Sequence, residues 1–141
     1  MSGVLNKIWT ALRGGVREMG DAIVDSNGIR IFEQEIIDAK DSIQQAKTNL
    51  TEVMARKMQA ERKVSKLVEE IRNHEGYVGK ALDNNDEALA LEVAGKIATM
   101  EAEKGEQDAI VRRLTGQVEQ LKAHIRKAEK LIADHERELS I

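Results

Sequence analysis

At 141 residues the chain has room for one ordinary domain, but a single Trp, a single Tyr and a single Phe exclude a compact aromatic core. A charged fraction of 33%, with 22 basic against 25 acidic side chains, leaves a net charge of −3, which argues against whole-molecule attraction to nucleic acid. The absence of Pro permits uninterrupted helix, with breaks left to Gly, Asn and Asp, and the absence of Cys excludes disulfides, thiolate metal sites and cysteine nucleophiles.

The first element runs from Val4 to Val24, where Leu5, Ile8, Trp9, Leu12, Val16, Met19 and Ile23 recur at helical spacing on one face. Lys7, Arg13 and Arg17 stand on the polar side, so the segment is mildly basic while the remainder of the chain is acidic. This pattern predicts an amphipathic helix over residues 1–24 that seeks a membrane surface. Trp9 suits the headgroup boundary, and the three cations suit anionic lipid headgroups. The alternative is that its apolar face folds back onto the rest of the chain. No run approaches 18 apolar residues and no secretory signal is evident, so the chain reads as soluble or peripheral.

Asp25-Ser26-Asn27-Gly28 is a cluster of turn formers and reads as a hinge. Beyond it the apolar positions settle into steps of three and four, from Ile29, Phe32, Ile36 and Ala39 through to Val78 and Ala81, interrupted by Lys57 and His74. A 3.5-residue period held this long is a coiled-coil signature, because a straight helix would drift off the stripe. The period resumes after Asp83-Asn84-Asn85-Asp86, from Ala90 and Val93 to Ile132 and Leu139, with Lys104, Gln107 and His135 filling polar slots.

A short connection makes the two helices antiparallel neighbours. The expected fold is therefore all-α: a long antiparallel two-helix coiled-coil hairpin over residues 25–141, with helices 28–82 and 87–141 and a turn at 83–86, preceded by the short amphipathic helix. Asn84, with Glu87 three residues on, is the expected N-cap of the second helix. Reflection about the turn sets Lys57 near Val111 and Asp108 and Lys104 near Val64 and Glu61, as seam lysines that either snorkel or pair. Gly76, Gly79, Gly95, Gly105 and Gly116 mark softer places in the helices.

Chemistry is sparse along this pattern. There is no Gly-rich phosphate loop, and Asp83–Ala94 lacks the Gly and the terminal Glu of a calcium loop. None of His74, His124 and His135 follows a Glu by three residues, as in di-iron bundles. Neither catalysis nor a metal or cofactor is expected. His74 and His135 fall on the stripe, where they read as destabilising seam positions or, less simply, as pH-sensitive or metal-binding groups.

The segment Gly3-Val4-Leu5-Asn6-Lys7-Ile8, followed after the turn by the run Gly28 to Lys40 (GIRIFEQEIIDAK), resembles the phage shock protein A family. That family includes the vesicle-inducing protein of plastids and belongs to the ESCRT-III superfamily. The stretch Leu82 to Ala90 is similar to its hairpin tip. The turn departs from the family in lacking an Asp-Pro pair, and the heptads still run at Ile141, as expected of an N-terminal portion.

The resemblance implies a bacterial cytoplasmic stress protein, peripheral on the inner membrane, that binds anionic lipids, assembles with itself and remodels bilayer. It implies Leu5, Ile8, Trp9, Leu12, Val16, Met19 and Ile23 as insertion residues, with Lys7, Arg13 and Arg17 as headgroup contacts. A second reading is a regulatory module whose hairpin holds an AAA+ transcriptional activator inactive; a third is a plain structural coiled coil.

Overall fold

The computed structural model describes residues 26–139. Two helices account for nearly all of them: α1, Ser26–Asp83, and α2, Glu87–Leu139, joined by a three-residue turn into the expected all-α hairpin. Contacts divide the chain into two units, one of Met1–Glu52 with Val118–Ile141 and one of Val53–Gln117.

In the first unit the predicted stripes meet. Ile36, Ala39, Ile43 and Ala46 of α1 are buried against Ile125, Ala128 and Ile132 of α2, with Phe32, Leu50, Leu121, Leu131 and Leu139 packed around them. Alternation of branched side chains with Ala lets the helices approach closely while filling the seam. Across its flank Lys40 pairs with Glu136, and Lys47 with Glu129 at 2.9 Å, one heptad apart on each helix. All four side chains are about half exposed, so each pair contributes only ~0.2–1 kcal/mol and acts mainly on register.

His135 occupies a seam position as its spacing predicts, and only 2% of it is exposed. Its ring lies 5.2 Å from that of Phe32, tilted by 34°, and its Nδ1 has no hydrogen-bond partner. An unpaired buried nitrogen costs ~1–3 kcal/mol, which the ring contact only partly offsets.

The second unit has a thinner seam. Ala60, Ala81 and Ala90 are buried with Val53, Val93 and Leu114, whereas Lys57, His74, Lys104 and Gln107 are half exposed. The two seam lysines do not pair across the hairpin as reflection about the turn suggests. Lys57 instead meets Glu61 at 3.7 Å and Lys104 meets Asp108 at 3.0 Å, each one turn along its own helix. Helical side chains lean toward their N-terminus, so Glu61 and Asp108 lean back over the lysines and close these local pairs. His74 donates from Nδ1 to the Glu70 carbonyl at 2.7 Å and stacks edgewise on Tyr77. An added Cβ at Gly76, Gly79, Gly95, Gly105 or Gly116 meets nothing within 4 Å, so packing does not require these glycines.

The turn ends α1 in a Schellman motif. Asp86 N–H donates to the Ala81 carbonyl at 2.8 Å and Asn85 N–H to that of Leu82 at 3.0 Å, with Asn85 in the left-handed region at φ 56°. Asn tolerates that conformation better than other residues bearing a Cβ. The N-cap of α2 is Asp86 and not Asn84: its Oδ1 accepts from Leu89 N–H at 3.1 Å, and its carbonyl accepts from Ala90 N–H. The left-handed residue must precede the cap, which moves the cap two residues on, from Asn84 to Asp86, with α2 starting at Glu87.

Three consequences are measurable by thermal unfolding monitored by circular dichroism. Asp86→Ala is expected to cost ~1 kcal/mol through the lost cap, and Asn85→Gly to be neutral or slightly stabilising where Asn85→Val is destabilising. Equal effects of the two Asn85 substitutions would contradict the left-handed turn. His135→Leu is expected to raise the midpoint by removing the orphaned nitrogen, a gain of about 1 kcal/mol. A lowered midpoint would show that the imidazole stabilises the seam.

Candidate membrane-binding segment and hairpin surfaces

The predicted insertion residues Leu5, Ile8, Trp9, Leu12, Val16, Met19 and Ile23, and the predicted headgroup contacts Lys7, Arg13 and Arg17, lie outside the described residues. What is described is the scaffold that follows them and the surfaces it leaves open. Because the seam consumes the heptad stripes of α1 and α2, those surfaces are polar over most of their extent.

The exposed apolar side chains that remain are scattered in the first unit, at Ile31 and Ile37, and denser in the second. There Leu82, Leu89 and Leu91 flank the turn, Leu91 being 74% exposed, and Tyr77 lies nearby. Met54 and Met58 stand exposed toward the opposite end of the same unit. Single exposed apolar residues are ordinary, and Leu89 and Leu91 stand on opposite flanks of the buried Ala90, so the three leucines near the turn do not share one face.

Charge in the Val53–Gln117 unit is segregated. Its end remote from the turn, residues 53–66 and 110–117, carries seven basic side chains and one acidic; the turn end, residues 67–109, carries eleven acidic and four basic. At the basic end an open groove of about 300 Å³ runs between the helices, with Arg56, Gln59 and Lys63 of α1 on one wall and Gln107, Arg113 and Gln117 of α2 on the other. Ile110 and Leu114 contribute its apolar lining, and no carboxylate lines it. Among the described residues, Arg56, Arg62, Lys63, Arg112 and Arg113 have no carboxylate or hydrogen-bond partner. Sequence reading missed this feature because charges far apart in the chain become neighbours only after folding about the turn.

No group of three or more metal-ligating side chains occurs among the described residues, and none of their helices is long and apolar enough to cross a membrane.

The family model that matches the chain is that of the PspA/IM30 family, and it matches residues 3–141, the amphipathic segment and the hairpin together. The chain belongs to the PspA/IM30 family. Searches of curated proteins and of solved structures returned no significant match. Membership brings a membrane-associated stress-response role in general terms, peripheral association with the bilayer, and a general tendency to self-assembly.

Proposed function

We propose that this PspA/IM30 family member attaches to anionic bilayers by inserting the apolar face of residues 4–24, assembles with further copies of itself there, and so supports or remodels the membrane. The observation that carries this reading is the extent of the family match, which starts at residue 3 and so takes in the amphipathic segment together with the hairpin. A second observation supports it. The stripes of α1 and α2 are buried against each other, so the hairpin offers no third apolar stripe matching that of the segment.

In this reading Leu5, Ile8, Trp9, Leu12, Val16, Met19 and Ile23 enter the interfacial zone, and Lys7, Arg13 and Arg17 meet headgroups. Full burial of six such side chains at ~1.5–3 kcal/mol each supplies on the order of 10 kcal/mol before the cost of ordering the helix, enough for reversible peripheral binding. Each cation adds up to ~1 kcal/mol on an anionic leaflet, so salt weakens attachment without abolishing it. The site of action is then the cytoplasmic face of a bacterial inner membrane.

Trp9, as the only tryptophan, is its own reporter. Co-sedimentation with anionic vesicles is expected to pellet the full chain and to shift Trp9 emission to the blue. Leu12→Asp with Val16→Asp should abolish both signals, and Lys7, Arg13 and Arg17 changed to Ala should weaken binding most at low salt. Equal pelleting by the doubly acidic variant would sink the proposal.

A further inference from the structure

The Val53–Gln117 unit carries two unsatisfied surfaces of opposite sign. At one end, Arg56, Lys63 and Arg113 line a groove that contains no carboxylate, and none of the three is paired. At the other end Asp83, Glu87 and Glu92 have no ion partner, and the carboxylate of Asp86 is used only as a helix cap. The apolar content of each end matches this division. Leu82, Leu89 and Leu91 stand exposed among the carboxylates, while Ile110 and Leu114 line the groove and Met54 and Met58 stand exposed at the same end.

We infer that the basic groove is a docking surface for the acidic, leucine-bearing turn of a second copy of this chain. The inference rests on the self-assembly part of the function proposed above and names the surfaces that perform it. Three arguments favour this occupant.

The first is complementarity. A turn rich in unpaired carboxylates meets a cation-rimmed groove that has none, so the charges of both ends gain partners in one contact, and an exposed leucine on one flank of the turn can meet the groove's apolar lining. The glutamine amides of the groove can donate to carboxylates or accept from backbone amides without adding repulsion.

The second is the balance of charge over the unit. An anionic bilayer would attract the groove, but eleven carboxylates lie in the other half of the same unit, which holds twelve acidic and eleven basic side chains in all. A membrane lying along the unit therefore meets attraction and repulsion of similar size, whereas a second copy satisfies both halves.

The third is symmetry. Groove and turn are different surfaces of one unit, so their contact is heterologous: each copy that docks its turn leaves its own groove open for another. Such a contact propagates, as assembly on a membrane surface requires. Its strength is set by charges near the surface, which are screened over about 8 Å at physiological salt, so the assembly is adjustable by ionic strength.

The test uses the full chain without lipid. Sedimentation velocity at about 0.05 M salt should show species larger than one chain, and at about 0.5 M these should shift toward single chains. Arg56→Glu with Arg113→Glu should lose the larger species at low salt, and so should Asp83→Lys with Glu92→Lys. An equimolar mixture of the two double variants should recover them, because each then offers the surface the other needs. Circular dichroism confirms that the helices persist; if a double variant loses helix, the single substitutions Arg113→Glu and Glu92→Lys replace it in the same mixture.

The inference is overturned if the wild-type chain does not associate at low salt, if the variants associate as the wild type does, or if mixing fails to restore the larger species. It is also overturned if the groove variant self-associates normally but no longer pellets with anionic vesicles, which would make the groove a lipid site. Failure of the membrane reading is distinct, since it appears as vesicle binding unaffected by Leu12→Asp with Val16→Asp while the charge-swapped mixture behaves as expected.

Discussion

Two apolar stripes of 3.5-residue period, each too narrow to stand in water and each matched by the other, are the constraint on which the rest of the molecule depends. In the first unit Ile36, Ile43, Ile125 and Ile132 are all buried in the shared seam, and alanines between them keep the helices close. Once the stripes are committed to each other, everything outside the seam must be soluble, and a third of the chain is accordingly charged. Apolar surface for a bilayer then has to come from elsewhere in the chain, and residues 4–24 are where the sequence provides it.

The seam is not uniform, and its variation has a physical consequence. Branched aliphatic residues dominate the buried positions of the first unit, while alanines and half-exposed polar groups make up much of the second. Five of the six glycines in the described helices also fall between residues 76 and 116, at positions where a methyl group would fit freely. Each lowers local helix stability by ~1 kcal/mol relative to Ala. Stability is thus concentrated in the unit next to the amphipathic segment, and compliance in the unit that bears the turn and the groove.

Much of this was legible in the sequence because period and turn chemistry are local properties. The 3/4 spacing from Ile29 to Ala81 and from Ala90 to Leu139 located both buried faces, and the Asp-Asn-Asn-Asp run located the reversal. His135 was recognisable as a seam residue from spacing alone, although its missing partner was not. The cap was misplaced because Asn84, Asn85 and Asp86 are all competent caps; the left-handed backbone demanded by the Schellman motif decides among them, and that demand is visible only in three dimensions. Lys57 and Lys104, which reflection about the turn leaves either snorkelled or paired across the hairpin, pair instead along their own helices, because side chains lean along the helix and do not stand radially. The groove escaped notice for a further reason: Arg56 and Arg113 are distant in sequence, and only the antiparallel pairing makes them walls of one feature.

In the proposed division of labour the seam holds the hairpin and residues 4–24 meet the bilayer. Hydrogen–deuterium exchange of the full chain with and without anionic vesicles tests it most directly. The account predicts that amides around Ile36, Ile43, Ile125 and Ile132 are already protected without lipid and are unchanged by it, while vesicles confer new protection on residues 4–24. Rapid exchange along the seam in the absence of lipid, or lipid-induced protection that appears in the seam and not in residues 4–24, would contradict it.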